Sequence, residues 1–300
     1  MQAADLKIAY IILAHKNPEQ VNLFLQQLLS DEQADIYIHL DRNSADSMTG
    51  KIMQNSRITI TKKNVSCAWG DISLVDATLI LLREVIDSGR AYDFICLRSG
   101  QDMMTGRGFK EYLDENREMN FFLLSEIKRK SEEGAHFYLL YPQCMRKLYE
   151  SLHPYRILRT LLRKLYGLGI NVFPNKEEFD NRIRIFGGSQ WFSMSMKMAR
   201  YIVDYLDKNT WYYKAFRDVY IPDTIFFNTL VMNSPFKGEI INKSLTFQYN
   251  RQICKVKNHP MTLVYDDIEE IESSGCYFAR KFDIDEDKKV LEYFMNKITG

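Results

Sequence analysis

The sequence predicts an α/β fold: a mixed, mostly parallel sheet flanked by helices, with a helical insertion near the middle of the chain. Two observations carry this. Short apolar, β-branched runs alternate with helix-periodic segments through the first third, the pattern of strand–helix–strand units. Polar and charged residues cluster directly after those runs, and in a parallel sheet such positions share one edge. Of the 300 residues, 46% are hydrophobic, and Gly (14) and Pro (7) are few. A chain of this kind can bury a large core.

Each element follows in order. Lys7–Ala14 (KIAYIILA) is β-branched and aromatic, as a buried strand is. Its apolar run is far shorter than the roughly 20 residues of a membrane span. His15-Lys16-Asn17-Pro18 is a turn, with Pro18 opening a helix to about Ser30. Ala34–Leu40 is a second strand, Arg57–Thr61 a third, Ser73–Ser88 a helix, and Tyr92–Leu97 and Asn120–Leu124 further strands. The stretch 128–184 is rich in Lys, Arg, Tyr and Leu with helical periodicity. Within it, Tyr155–Tyr166 places Ile157, Leu158, Leu161, Leu162 and Leu165 on one face, with Arg156, Arg159, Arg163 and Lys164 largely on the other. Such a helix either packs its apolar face on the core with a solvated basic face, or lies on an anionic membrane. Ile185–Ser195 holds a glycine pair and a strand-like aromatic run. Met196–Asp207, Pro222–Met232 and Asp287–Thr299 are helical, and 276–283 is a strand or loop with a basic pair. The whole reads as one domain, 1–300: a nucleotide-binding half (1–127), the insertion (128–184) and a donor/acceptor half (185–300).

Lys plus Arg is 40 against 39 for Asp plus Glu. That balance argues against a nucleic-acid partner and against an acidic disordered tail. The five cysteines (Cys67, Cys96, Cys144, Cys254, Cys276) are widely spaced without a CxxC pair. They fit free thiols in a reducing compartment, hence a cytoplasmic protein. GxxxxGK[ST], GxGxxG after the first strand, GxSxG and HExxH are all absent. So is a DxD pair, since the second strand ends His39-Leu40-Asp41 with one acid. If the polar edge binds a diphosphate, side-chain cations must neutralise it, and adjacent Arg280 and Lys281 are the candidates.

Several motifs occur together and in order: AYIILAHKNPEQ, IYIHLDRNS, AWGDISLVDATLILL, YDFICLRSGQDMM, GGSQWFSMS, PDTIFFNTLVMNSPF and HPMTLVYDD…FARKFDID. From about residue 7 to 295, and poorly only across 128–180, the chain resembles the core-2/I-branching N-acetylglucosaminyltransferase family (glycosyltransferase family 14), which includes the peptide O-xylosyltransferases. The resemblance implies a GT-A-like fold and an inverting, metal-independent transfer from a UDP-sugar to a hydroxyl. It places Arg280 and Lys281 on the diphosphate, Asp41 on the nucleoside, and His15 and His39 in the same cleft. It makes Trp69 the tryptophan of the WG..S motif and Asp102 a wall of the donor pocket. Gly188, Ser189, Gln190 and Trp191 then line the donor sugar and acceptor. Read from the residues alone, His15 and His39 are equally capping or core histidines, Trp69 is packing, and Ser189-Gln190 is a tight turn.

Two departures stand out. The family's catalytic glutamate position holds Thr224 in Pro222-Asp223-Thr224, and a threonine hydroxyl is no general base. Asp223 could act instead, or Glu126, or the protein binds a nucleotide sugar without transferring it. The motif LTFQYN ends in Asn250 where relatives carry an acceptor-stacking aromatic, and Tyr249 can take its place. The expectation is a bacterial-type cytoplasmic transferase of N-acetylglucosamine or xylose. Its acceptor would be a surface polysaccharide or lipid-linked glycan, with 155–166 as a peripheral contact to the inner membrane leaflet.

Overall fold

A computed structural model describes residues 5–147, 149–150, 152–175, 183–249 and 261–300. Asn250, Cys254 and positions 176–182 of the expected insertion lie outside the described residues.

Among the described residues, twelve strands form three sheets: β1 Ile8–Ala14, β2 Ala34–Leu40, β3 Ile58–Ile60, β4 Phe94–Ser99, β5 Met103–Met104, β6 Asn120–Phe122, β7 Leu124–Glu126, β8 Phe186–Gly188, β9 Ser193–Ser195, β10 Ile240–Asn242, β11 Thr246–Gln248 and β12 Phe278–Arg280. The main sheet has the order β10-β6-β9-β4-β1-β2-β3. The pairs β1–β2, β1–β4, β2–β3 and β10–β6 are parallel, and only β9 runs against its neighbours. β11-β12-β5 makes a second sheet and β7-β8 a third.

β1 explains why the sheet is central. Its even residues Ile8, Tyr10, Ile12 and Ala14 enter one hydrophobic cluster, and its odd residues Ala9, Ile11 and Leu13 enter another. A strand buried on both faces needs a continuous apolar run, and KIAYIILA supplies it. The helix Ser73–Asp87 covers the odd face, with Val75, Leu81, Leu82 and Val85 buried. The helices Pro18–Leu29 and Lys288–Thr299 cover the even face through Phe24, Leu25, Leu28, Leu291 and Phe294. Each such side chain contributes about 1.5–3 kcal/mol relative to exposure. A third, smaller cluster (Ala135, Leu139, Tyr141, Met145, Leu162, Tyr166, Tyr220) joins the segment 135–145 to the helix Pro154–Gly167 and Tyr220.

The structure corrects four expectations. Asn120–Leu124 splits after Phe122: β6 stays in the main sheet and β7 leaves it to pair with β8. Ile185–Ser195 divides into β8 and β9, separated by the Gly188–Trp191 turn. Pro222–Met232 is a single 3₁₀ turn, Pro222–Thr224, then a break at Ile225, then an α-helix Phe226–Met232. The fourth concerns the helix Pro154–Gly167, which packs inward through Arg159, Leu162 and Tyr166 while Ile157, Leu158 and Leu161 face out. Arg159 makes this possible. Its guanidinium donates to the carbonyls of Met145 and Lys147 and stacks 4.1 Å above the Tyr220 ring, so the charge is satisfied inside.

Candidate functional site

The parallel register aligns the strand ends: Ala14 sits opposite Leu40, and Leu13 opposite Ser99. The residues that follow therefore rim one edge. β9 runs the other way, with Ser193 opposite Cys96, so the residues preceding it, Gln190 to Phe192, reach the same edge.

At the end of β1, Asn17 takes a left-handed conformation (φ 51°) that turns the chain into the next helix. Its amide donates to Asp283 Oδ1 (2.9 Å), and Lys16 Nζ pairs with Asp283 Oδ2 (2.5 Å). His15 stands exposed on the rim. Desolvation by the surrounding wall and then the charge of Lys16 lower its pKa, against a smaller opposite pull from Asp41. At the end of β2 the two expected ligands are spent on their own loop. His39 is buried, its Nε2 accepts from the Val65 amide (3.0 Å), and burial lowers its pKa. Asp41 accepts from the amides of Asn43 (2.8 Å) and Cys67 (2.9 Å). For His39 this is the geometry of a packed histidine. Trp69 packs edge-on against Tyr220 at 5.6 Å, beside the segment that leads into Asp223.

The turn after β4 is closed by Asp102, whose Oδ2 accepts from the Ser99 amide (2.9 Å). Its Oδ1 accepts from Arg280 Nε at 3.0 Å, and both residues are buried. The Arg280 guanidinium lies 3.9 Å from the Trp191 ring centre. The next residue, Lys281, is partly buried, and its pKa is lowered by desolvation and then by the charge of Arg280. Burial raises the pKa of Asp102, with Arg280 opposing. Asp102 pairs with Arg280 and not with the adjacent Lys281, whose charge remains for an anion. Tyr249 follows Gln248, which pairs with Arg280 across β11 and β12.

Asp223, in Pro222-Asp223-Thr224, is near enough to Arg280 for their charges to interact. Asp223 is 7% exposed, and its Oδ1 has no hydrogen-bond partner. Burial pushes its carboxyl up to about 7, opposed first by a hydrogen bond from its own backbone and then by the charge of Arg280. The Thr224 hydroxyl donates to the Ile221 carbonyl (2.9 Å). Asn228, one turn on, donates to the carbonyls of both Thr224 (2.9 Å) and Ser189 (3.1 Å), clamping the Asp223 turn to the Gly188–Trp191 loop. In that loop the Ser189 hydroxyl accepts from the Trp191 amide (3.1 Å), and Gln190 Nε2 is buried without a partner. At Gly188 a Cβ would fall 2.0 Å from the Leu123 carbonyl oxygen, so only glycine fits. Glu126 is exposed, 3.7 Å from the equally exposed Arg184.

The structure thus brings Asp102, Trp191, Arg280, Lys281 and Asp223 together. It buries His39 and leaves Glu126 on the surface. Sequence reading missed Asn228 and Arg98. Arg98 is a fully buried cation that donates to the Phe192 carbonyl (3.0 Å) and Ser193 Oγ (2.8 Å), 4.1 Å above Phe278. Its one signal is a lone arginine in the apolar strand FICLRS. Among the described residues, no group of three His, Cys, Asp or Glu side chains is placed to hold a metal ion.

Residues 8–273 match the family model for the core-2/I-branching enzyme (Branch). The chain belongs to the core-2/I-branching enzyme family. Similar curated proteins include xylosyltransferase sqv-6 of Caenorhabditis briggsae, 24% identical over 313 residues (96% of this chain, 36% of the relative). Human xylosyltransferase 1 is 22% identical over 325 residues (98% of this chain, 31% of the relative). The chain spans about a third of the length of these relatives. Among solved structures, the apo form of mouse xyloside xylosyltransferase 1 aligns with 92% of this chain and 97% of its own, at a TM-score of 0.38 and 8% identity.

Proposed function

We propose that this family member is an inverting glycosyltransferase of the GT-A type, taking a UDP-sugar (N-acetylglucosamine or xylose) to a glycan hydroxyl. One observation carries the reading. A buried Arg280, oriented by Asp102 and Trp191 and followed by Lys281, lies within electrostatic reach of the buried carboxyl of Asp223, whose Oδ1 has no hydrogen-bond partner. The cations hold the diphosphate of the donor and stabilise it as it leaves, without a metal ion. Asp223, ionised, takes the proton of the acceptor hydroxyl as that oxygen attacks the anomeric carbon. The bond to the UDP oxygen breaks on the opposite face, and UDP leaves with the bonding pair. A carboxyl held near 7 suits a general base at neutral pH. We place the acceptor in surface-polysaccharide or lipid-linked glycan synthesis of a bacterial type, on the cytoplasmic side.

A second reading, nucleotide-sugar binding without transfer, rests on Thr224, whose hydroxyl is committed to the Ile221 carbonyl. Calorimetry with UDP and the two UDP-sugars, followed by a UDP-release assay against an acceptor panel, separates the two. Binding with release supports transfer, binding without release supports the second reading, and no binding of any UDP species overturns both.

A further inference from the structure

Twelve large hydrophobic side chains are exposed among the described residues, and nine lie between Leu152 and Phe173. That concentration marks a surface built to meet something apolar. It consists of Leu152 and Tyr155 at the entry of the helix Pro154–Gly167, Ile157, Leu158 and Leu161 on its outer face, and Leu168, Ile170, Val172 and Phe173 just after it. The opposite face of this helix is anchored through Arg159, Leu162 and Tyr166, so its outer face is fixed outward by packing.

We propose that this face docks on an anionic phospholipid bilayer, with the leucine and isoleucine side chains entering the acyl boundary. Charge selects the occupant. Between Arg146 and Lys164 there are six Lys or Arg and one acid, Glu150, in a chain that is otherwise balanced. Arg146 and Arg163 are paired internally and Arg159 is buried. Lys147, Arg156 and Lys164 remain to meet anionic headgroups, and Lys164 sits one turn from the exposed Leu161 on the helix surface. A second copy would set the same cations against one another. No described helix is long and apolar enough to cross a membrane, so the helix lies in the interface plane. Its anchored side reaches the candidate site: Arg159 stacks on Tyr220, which contacts Trp69 and lies two residues before Pro222. Docking would therefore orient the site toward lipid-linked acceptors; that last clause alone rests on the proposed transfer.

The test is flotation of the full chain with vesicles of phosphatidylcholine alone or mixed with phosphatidylglycerol, at low salt and at about 1 M salt, where exposed charges are screened. Binding to the phosphatidylglycerol vesicles is expected, weakened but not abolished by salt. Leu158→Glu with Leu161→Glu should lose at least about tenfold in binding at low salt, while UDP affinity, read separately by calorimetry, stays unchanged. Leu158→Trp should give added fluorescence that brominated lipids quench. The proposal is overturned by any of three results. These are no binding to phosphatidylglycerol vesicles at low salt, full release at high salt with the double glutamate variant binding as wild type, or a concentration-dependent dimer that the same variant dissolves. Loss of UDP binding in the wild type would sink the transfer reading and leave the docking result standing.

Discussion

Asp102 and Arg280 are 178 positions apart and meet in a buried ion pair at 3.0 Å. The pair joins the turn after β4 to the end of β12, so one interaction ties the main sheet to the second sheet at the candidate site. Removing the acid leaves Arg280 buried and uncompensated. Asp102→Ala is expected to destabilise the fold by about 3–5 kcal/mol, read from urea denaturation. Asp102→Asn should cost less, because an amide oxygen still accepts from Nε.

Substituting the cations should act on the ligand. Arg280→Ala combined with Lys281→Ala is expected to weaken UDP binding by about 1.5–3 kcal/mol per lost charged contact, measured by calorimetry. An unchanged UDP affinity would move the diphosphate away from these side chains.

Asp223 predicts a pH signature in both rate and stability. Its carboxyl sits at about 7 when folded, against 3.8 for the ordinary group. The folded state thus holds the proton more tightly than the unfolded one. The resulting stabilisation is fully present below about pH 4 and is lost as pH rises toward 7, with an upper limit of about 4 kcal/mol. Asp223→Asn should flatten that slope in thermal melts. Turnover should rise with pH through about 7 in the wild type and be abolished in Asp223→Asn, with UDP binding nearly intact. A fully active Asp223→Asn enzyme would put the base elsewhere.

Much of this site was legible from residue order. An apolar run long enough to be buried on two faces announced β1, and polar residues after three such runs announced the edge. The Arg280–Lys281 pair and Asp223 followed from motif positions. Side-chain commitments were not legible. Nothing in IYIHLDRNS says that the His39 nitrogen is engaged by a backbone amide 26 positions away. The amphipathic pattern of 154–167 gave an apolar and a basic face, but the inward face takes Leu162 from the first and Arg159 from the second. Arginine made this possible, because a guanidinium can satisfy its donors on backbone carbonyls and stack on an aromatic ring, where a lysine would stay in water. Asn228 looked like one more polar residue in PDTIFFNTLVM, although its amide joins two loops.

A different substitution tests the close approach of β7 and β8. Gly188→Ala would press a methyl group against the Leu123 carbonyl, and the backbone must part to admit it. The expected loss is about 1–3 kcal/mol in a denaturant titration, with lower UDP-sugar affinity as the neighbouring Gln190 and Trp191 shift.

The thiols should divide by environment. Burial pushes the Cys67 thiol up to about 12, with the Asp41 carboxylate adding to the effect, whereas Cys144 is exposed. Alkylation at neutral pH followed by mass spectrometry should label Cys144 and spare Cys67.

The even face of β1 is sealed by residues from the far end of the chain, Phe278, Phe282, Leu291 and Phe294. On a ribosome, β1, β2 and β4 emerge well before those residues exist, and their even face then has only part of its native cover, from Phe24, Leu25 and Leu28 of the helix Pro18–Leu29. Collapse of these strands on their own would be premature, and a stalled or truncated product would present the uncovered part of that face to chaperones and proteases. The order of synthesis thus leaves the even face of the sheet to be sealed late, by Phe278, Phe282, Leu291 and Phe294.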